Sequence, residues 1–216
     1  MKKNFLSPLT LVIAVLLLAC NSGQTVDKTN EIATIFKTKY APDKRVAVFN
    51  VKAEQKNGAI TLTGETDKVE GMELFVDSLK KAGIAFENEI ETLPSAELGD
   101  KIYAVANNSV VNMRSNARHS AELATQALLG MPLNVLKKSG GWYLVQSPDE
   151  YISWIDQGGI KLMNKEELDS WKKADKIIYL SNYGFSYESA KSTSPKIGDL
   201  VMGNVLQLVD TQRNFY

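Results

Sequence analysis

The sequence has almost none of the residues on which thiol and imidazole chemistry depends: its 216 residues include one cysteine, Cys20, and one histidine, His119. A single cysteine excludes a disulfide framework within the chain and a metal site built from several thiolates. His119 stands in a polar turn without a second histidine, which favours an exposed turn residue over a catalytic base. No Gly-rich phosphate loop, Ser-His-Asp set or metal-ligand spacing is present. The sequence therefore predicts no catalytic residue, metal or cofactor in this chain.

The chain also lacks an excess of either charge, with 25 Lys plus Arg against 25 Asp plus Glu. Its basic residues do not cluster along the sequence, whereas nucleic-acid-binding proteins carry a basic patch or stripe. The sequence therefore predicts no nucleic-acid partner.

One long apolar run is present, at the N-terminus. It extends from Leu9 to Ala19 after two lysines, and it is too short to span a bilayer but suits a signal h-region. The run ends at Leu17-Leu18-Ala19-Cys20, which resembles the lipobox of bacterial lipoproteins. The resemblance implies a signal peptide over residues 1–19 and a lipid on the Cys20 thiol, which would anchor the protein to a membrane of the bacterial cell envelope. An ordinary secretory signal and a short uncleaved anchor are the alternatives.

A polar segment, residues 20–28, is predicted to be a flexible tether, and an α+β unit of order α-β-β-α-β is predicted over residues 29–93. Asn57-Gly58 indicates a two-residue hairpin turn between the first two strands. We expect Asp67 to cap the second helix and Gly83 to end it in a left-handed conformation. The unit resembles the BON domain of bacterial envelope proteins, most clearly in NGAITLTGETDKVEGMELFVDSLKKAGI. That resemblance implies binding to envelope components rather than catalysis.

Beyond a short linker, residues 94–100, the pattern changes. Short strand-like segments recur at regular intervals, separated by Gly, Asn and Ser, and this pattern predicts an all-β barrel over residues 101–163. A connecting helix is predicted over residues 164–175, with Asn164 as its N-cap. We expect the tryptophans of the barrel, Trp142 and Trp154, to supply much of the core of so small a domain.

The run from Tyr103 to Ile155 resembles a bacterial SH3 domain. The resemblance is carried by Val111-Asn112-Met113-Arg114, Gly130, Gly141-Trp142-Tyr143-Leu144-Val145 and Tyr151-Ile152-Ser153-Trp154-Ile155. Arg114 is expected to hold neighbouring turn carbonyls. Two residues depart from the family pattern and are expected to loosen their loops: Ala117 replaces a usual Pro, and Glu150 replaces a usual Gly.

An internal repeat predicts a second barrel of the same type over residues 176–216. Gly130, Leu133, Val135, Trp142 and Tyr143 recur, all at the same offset along the chain, as Gly203, Leu206, Leu208, Phe215 and Tyr216. Lys101-Ile102-Tyr103 recurs as Lys176-Ile177-Ile178-Tyr179. Coincidence among short apolar strands is the alternative. This second SH3-like barrel is incomplete, because the strand that begins at Phe215 has no partner, and we expect the chain to be truncated relative to its relatives.

The whole order resembles part of a group of NlpC-type cell-wall endopeptidases, over residues 98–216. These cysteine peptidases cleave the γ-D-glutamyl to diamino-acid bond of peptidoglycan stem peptides, and the resemblance stops before any catalytic residue. It implies that Glu122 faces the ammonium group of the substrate and that Tyr151 lies beside it. The alternative is that Glu122 is merely solvated and that Tyr151 packs on the barrel.

Three functions remain open on this basis. The first is an envelope lipoprotein that binds or positions peptidoglycan stem peptides without hydrolysing them. The second is an envelope adaptor whose BON-like and SH3 domains bind proteins or a membrane surface, and the third is a fragment of an active cysteine endopeptidase. A separate motif, Tyr183, Phe185 and Tyr187, alternates as one strand face, for which core or interface packing is favoured over stacking on a sugar.

Overall fold

The computed structural model describes the main chain of residues 8–216 and the side chains from residue 23 onward. Residues 1–7 of the predicted signal peptide, and the predicted lipid-bearing side chain of Cys20, therefore lie outside the described residues. The chain divides into two compact units, residues 1–92 and residues 93–216. None of the helices in the described part of the chain combines the length and the apolar character that a bilayer span needs.

The first unit has the predicted order α-β-β-α-β. Its elements are α1 (Pro8–Tyr40), β1 (Phe49–Lys56), β2 (Ala59–Thr66), α2 (Val69–Lys81) and β3 (Glu87–Thr92). β1 and β2 form an antiparallel hairpin, and β3 pairs in parallel with β2, so the sheet order is β1-β2-β3. Both helices and the sheet contribute to one core, in which Phe49, Leu62 and Phe75 are almost fully buried.

Two local predictions for this unit are confirmed. Asn57 and Gly58 have φ values of 53° and 85°, the two positive values that a type I′ hairpin turn requires. Gly83, with φ 71°, ends α2 by donating its N–H to the Lys80 carbonyl at 3.0 Å. The next N–H donates to the Leu79 carbonyl at 3.1 Å, which completes a Schellman motif.

Two other predictions for this unit differ from the structure. Asp67 does not cap α2, because its carboxylate instead accepts a hydrogen bond from the Val48 backbone N–H at 2.7 Å. The segment predicted as a tether, residues 20–28, continues α1 as helix. Val26 packs against the core of the unit, and this contact stabilises the additional helical turns.

The second unit begins with a seven-stranded antiparallel sheet. Its strands are β4 (Tyr103–Ala106), β5 (Val110–Arg114), β6 (Leu123–Leu128), β7 (Pro132–Ser139), β8 (Trp142–Gln146), β9 (Ile152–Asp156) and β10 (Ile160–Met163). The strand order is β10-β4-β7-β8-β9-β5-β6. Every strand contributes to a single core, through Ala104, Val111, Ala127, Leu133, Tyr143, Ile155 and Ile160 among others. A sheet with one core shared by all strands must curl around it, as a small barrel does.

Trp142 and Trp154 are not part of this core, so that prediction is wrong. The pleat of β8 and β9 turns Tyr143, Val145 and Ile155 inward. The two tryptophans occupy the alternate positions and lie half-buried on the outer face of the sheet. Strand alternation, rather than side-chain size, decides which face a residue occupies.

The rest of the unit contains one helix and four short strands. These are α3 (Lys165–Lys173), β11 (Lys176–Ile178), β12 (Tyr183–Tyr187), β13 (Lys196–Val201) and β14 (Val205–Gln207). Asn164 caps α3 as predicted, because its side chain accepts from the Glu167 N–H at 2.9 Å and its own N–H donates to the Glu167 carboxylate at 2.7 Å. The Lys101 ammonium, and then this Asn164 N–H, hold the pKa of Glu167 below its ordinary value.

Strands β11 to β14 pair with one another in the same way as β4 to β7. Each residue of the second set is separated from its equivalent in the first by the number of residues that separates Gly203 from Gly130. Ala104 lies opposite Leu133 in the β4–β7 ladder, and Ile177 lies opposite Leu206 in the β11–β14 ladder. The hairpins β5–β6 and β12–β13 also share their register, including the position of the bulge. A repeat that keeps both ladders and a bulge in register is not a coincidence among short apolar strands.

The turns recur with the strands. Gly130 and Gly203 have φ values of 83° and 90°. The Gly130 N–H donates to the Ala106 carbonyl, and the Gly203 N–H donates to the carbonyl of the equivalent residue, Tyr179, both at 2.9 Å. Gly140 and Arg213 likewise have φ values of 55° and 56°. We call residues 101–163 the first repeat.

The second repeat is residues 176–216. Its register corrects one detail of the sequence comparison: Tyr103 pairs with Asn134, and Lys176 pairs with Gln207. Tyr103 is therefore equivalent to Lys176, and not to Tyr179 as the resemblance between the two short segments suggested.

The two repeats contact each other through a buried asparagine. Asn204 is fully buried, its amide nitrogen donates to the Ser109 carbonyl at 2.8 Å, and its amide oxygen accepts from the Val201 N–H at 2.9 Å. Gly130 lies directly against the Val205 backbone, and a Cβ atom on this glycine would overlap the Val205 carbonyl oxygen. The contact between the repeats therefore requires an amide side chain at position 204 and a glycine at position 130.

Candidate functional site

The two binding residues implied by the sequence, Glu122 and Tyr151, directly precede β6 and β9, the strands on either side of β5. Arg114 in β5 lies opposite Leu123 on one side and opposite Trp154 on the other. Because β6 and β9 both run antiparallel to β5, their first residues lie at the same end of the sheet. Neighbouring strands are roughly 4.8 Å apart, so Glu122 and Tyr151 lie at one end of the barrel with only β5 between their strands.

Glu122 is exposed, and its carboxylate has no hydrogen-bond or ion-pair partner within residues 23–216. Its carbonyl accepts from the Ser115 N–H at 2.9 Å, which fixes the backbone while the side chain stays in solvent. Tyr151 is half-buried, and its carbonyl accepts from the N–H and the hydroxyl of Ser147 at 3.0 and 3.1 Å. A free carboxylate at a fixed position is suited to binding an ammonium group.

Arg114 organises the loop that leads to Glu122, residues 115–122. Its Nη1 donates to the Ala121 carbonyl at 2.8 Å, which confirms the role predicted for this arginine. Two further backbone hydrogen bonds, of 2.8 and 3.1 Å, tighten the loop around Arg118. The loop keeps this bonding although Ala117 replaces the proline of the family pattern.

The same loop crosses the outer face of β8 and β9. His119 is exposed, as predicted, but it is not isolated: its ring lies edge-on to Trp142 with centroids 5.0 Å apart, and its Nε2 is 3.9 Å from a carboxylate oxygen of Asp156. On the same face the Lys137 ammonium lies 5.3 Å from the ring centroid of Trp154. Sequence patterns did not reveal this cluster, because it depends on the path of the loop across the sheet.

Glu150 holds the turn before Tyr151 in a conformation that favours glycine. Its φ is 68°, its N–H donates to the Ser147 carbonyl at 2.9 Å, and its carbonyl accepts from the Gln146 side chain at 3.3 Å. A non-glycine residue at this φ is strained. The turn is therefore well bonded and strained rather than loosened, contrary to the expectation from the missing glycine.

Potential metal ligands do not gather in the described part of the chain. Within it, no three His, Cys, Asp or Glu side chains come together in a group that would hold an ion. The candidate site is thus described by one free carboxylate, one phenol and an ordered loop.

Comparison with known proteins gives the class of the first repeat. Residues 113–160 match the family described as the bacterial dipeptidyl-peptidase SH3 domain. The first repeat therefore contains a bacterial SH3 domain, as its motifs indicated. No curated protein matches the chain.

The solved structures that resemble part of the chain include two NlpC/P60 proteins. An NlpC/P60 endopeptidase from Photobacterium damselae subsp. piscicida is 12% identical with a TM-score of 0.43, over 54% of this chain and 29% of that chain. An NlpC/P60 family protein from Bacillus cereus ATCC 10987 is 16% identical with a TM-score of 0.41, over 51% of this chain and 48% of that chain. In both cases the similarity spans less than half of the solved protein.

Proposed function

We propose that this protein is an envelope lipoprotein that binds or positions peptidoglycan stem peptides through the first repeat. The bacterial SH3 domain at residues 113–160 supports a role at the cell wall. The observation that carries the proposal is the unpaired, exposed carboxylate of Glu122, which lies at the end of the barrel where Tyr151 leads into β9.

The chemistry of the ligand follows from that carboxylate. A stem peptide with a free amino end presents an ammonium group, and a hydrogen bond between charged partners contributes about 1.5–3 kcal/mol. Glu122 would accept this bond, and the Tyr151 ring would contact the first residue of the peptide. The loop of residues 115–122 is already ordered by Arg114, so binding would lose little conformational entropy there.

The test measures binding of the tripeptide L-Ala-γ-D-Glu-diaminopimelate to the full chain in detergent by isothermal titration calorimetry. Glu122→Gln removes the charge but keeps the shape, and we expect it to raise Kd by about tenfold. Glu166→Gln, at an exposed glutamate of α3 outside the site, is the matched control and should leave Kd unchanged. The N-acetylated tripeptide should bind the unmodified protein as weakly as the free tripeptide binds Glu122→Gln. Equal binding of the free and acetylated peptides would refute recognition of the alanine amino end, because both peptides retain the free amino group of diaminopimelate.

The lipid anchor is a separate part of the proposal, and the lipobox-like residues that end at Cys20 support it. Two or more acyl chains on the new N-terminus would hold the protein stably at a membrane, whereas a single chain would not. We expect Cys20→Ser to abolish incorporation of a labelled fatty acid and to leave the protein unprocessed or soluble. Unchanged labelling and unchanged membrane fractionation would contradict the anchor.

Two domain assignments complete the proposal. The constant sequence offset between the two sets of ladders supports a second SH3-like domain at residues 176–216. The order α-β-β-α-β supports a BON-like domain at residues 29–93.

An adaptor function is the second candidate, and a groove in the first unit favours it. The groove has a volume of about 680 Å³ and is lined by Lys28, Ile60, Ile84 and Phe86 among other residues. An adaptor would use this groove, and not the wall, for its main contact. Sedimentation of the full chain with purified peptidoglycan sacculi separates the two functions, because an adaptor would remain in the supernatant.

A further inference from the structure

The second repeat carries a row of aromatic side chains on one face of β12. Tyr183, Phe185 and Tyr187 occupy alternate positions of this strand. By the shared register, the first two are equivalent to Val110 and Asn112 of β5, which are exposed on the outside of the first repeat.

The equivalence shows that this row does not face a core. In β5 the core-facing residues are Val111 and Met113, and the equivalent residues of β12 are Gly184 and Ser186. The Tyr179 ring occupies the space on the inner side, because a Cβ atom on Gly184 would overlap the Tyr179 hydroxyl. The aromatic row therefore faces outward, so the core packing that we expected, with interface packing, in preference to stacking on a sugar is not what the structure shows.

The outward row offers ring surfaces together with free polar groups. Tyr183 is 60% exposed and meets Phe185 edge to face, with centroids 5.2 Å apart, and Tyr187 meets Phe215 in the same way at 6.4 Å. The phenolic hydroxyls of Tyr183 and Tyr187 have no hydrogen-bond partner within residues 23–216. The Lys196 ammonium lies over the Phe185 ring, 3.4 Å from its centroid.

We propose that this face binds a saccharide chain. The apolar C–H face of a pyranose ring packs on an aromatic ring, while its hydroxyl and N-acetyl groups require donors and acceptors at the ring edge, as tyrosine provides. Tyr183 and Tyr187 are four residues apart in the strand, which is about 13.6 Å, so they can contact different rings of one extended chain. The choice of a saccharide rests on the proposed wall association, since the glycan strand is the other component of peptidoglycan.

The first repeat provides an internal control for this inference. At the positions of Tyr183 and Phe185 it has Val110 and Asn112, which offer neither a ring surface nor a phenol. Saccharide binding should therefore be confined to the second repeat, although the two repeats share their backbone.

The test measures binding of chitotetraose, four β-1,4-linked N-acetylglucosamine units without peptide, to the full chain by calorimetry and by saturation-transfer NMR. Tyr183→Ala with Tyr187→Ala should raise Kd by about tenfold. The control in the first repeat is Val110→Ala with Asn112→Ala, at the positions equivalent to Tyr183 and Phe185, and it should leave Kd unchanged. Tyr183→Phe with Tyr187→Phe keeps the rings and the fold but removes the phenols, and we expect it to raise Kd by about threefold.

Three results would overturn the inference: no binding of chitotetraose to the unmodified protein, an equal loss in the control pair, or an unchanged Kd in the phenylalanine pair. The phenylalanine pair decides the outcome even where the alanine pair fails to fold. Chitotetraose has no amino end, so Glu122→Gln should not alter its Kd. Failure of saccharide binding would therefore reject this inference without affecting the proposal for stem peptides.

Discussion

The two repeats of the second unit share a backbone and differ in how much of their inner face is covered. Seven positions on the inner face of the first repeat have an equivalent in the second. In the first repeat all seven are buried: Ala104, Ala106, Val111, Met113, Ala127, Leu133 and Val135. In the second repeat only one of the seven, Leu200, is buried, and the others are partly exposed. In the first repeat β8 and β9 close over these positions with Tyr143, Val145 and Ile155.

The two repeats keep the same register although their inner faces differ in burial. Both repeats keep the same ladders, the same bulge and the same glycine turn. Those features follow from short-range signals, such as a left-handed glycine at Gly130 and at Gly203. The second repeat is also supported by its contact with the first through Asn204.

The inner faces also differ in how side-chain volume is distributed. Ala106 and Val111 of the first repeat are replaced by Tyr179 and Gly184 at the same register positions. The small side chain of alanine thus corresponds to the large side chain of tyrosine, and the medium-sized side chain of valine corresponds to glycine, which has no side chain. Because the Tyr179 hydroxyl fills the space beside Gly184, the exchange conserves packing rather than losing it.

The largest predicted difference between the repeats in the free energy of unfolding is at the equivalent glycines, Gly130 and Gly203. Gly130→Ala should destabilise the second unit by about 3 kcal/mol, because left-handed strain is added to an overlap with the Val205 backbone. Gly203→Ala should cost only about 1 kcal/mol, since its Cβ would meet a flexible Leu128 methyl at 3.0 Å. Urea unfolding followed by tryptophan fluorescence measures both variants. Equal costs would show that the contact between the repeats is not tight.

The next prediction concerns Tyr179 and Gly184, which occupy the positions of Ala106 and Val111 on the inner face of the second repeat. Tyr179→Ala should cost about 2 kcal/mol by leaving a cavity, and Gly184→Val alone should also destabilise the protein by overlapping the Tyr179 hydroxyl. The double variant restores the Ala and Val of the first repeat, so we expect it to be less destabilised than the sum of the two single variants. Additive free energies of unfolding in a double-mutant cycle would contradict compensation.

An effect of similar size is expected at the junction residue, Asn204. Asn204→Ala should cost about 2 kcal/mol, because the Val201 N–H would lose the amide oxygen and the Ser109 carbonyl would keep only the Leu129 N–H, at 3.3 Å. The exposed Gln207→Ala is the control and should cost almost nothing. Amide hydrogen exchange at Val201 should accelerate only in the Asn204 variant. Unchanged exchange there would mean that water replaces the amide without loss.

The smallest effect concerns two non-glycine residues with positive φ. Glu150→Gly and Arg213→Gly should each stabilise the protein by less than about 1 kcal/mol, because relief of strain is partly offset by the entropy of the unfolded chain. Gly140→Ala is the matched reverse of the second change, since Gly140 and Arg213 are equivalent, and it should destabilise the protein. Thermal unfolding measures all three. A destabilising Arg213→Gly would indicate that the arginine side chain contributes to the turn.

The sequence predicted the features of this fold that depend on neighbouring residues. The turn at Asn57-Gly58, the end of α2 at Gly83, the cap at Asn164 and the anchoring role of Arg114 each follow from a short motif with one physical solution. The offset of the repeat was also visible, because glycines and apolar residues recur at fixed spacing.

Features that depend on distant parts of the chain were predicted less well. The outward orientation of Trp142 depends on which face of β8 meets the core, and Asp67 bonds to Val48 rather than to its own helix. For the candidate site, resemblance to a family suggested Glu122 and Tyr151. Their location at one end of the barrel follows only from the pairing of β5 with both neighbouring strands.

The close approach at Gly130 has a consequence for how a wall fragment would be bound. A junction without room for a methyl group, supported by the two-sided hydrogen bonding of Asn204, prevents the repeats from sliding past each other. Glu122 and the aromatic row of β12 are therefore held at a constant separation. A peptide-bearing glycan bound at one of the two proposed sites would meet the other at a fixed effective concentration. Under the two proposals, the junction would select wall fragments by the distance between a peptide amino end and its sugar chain.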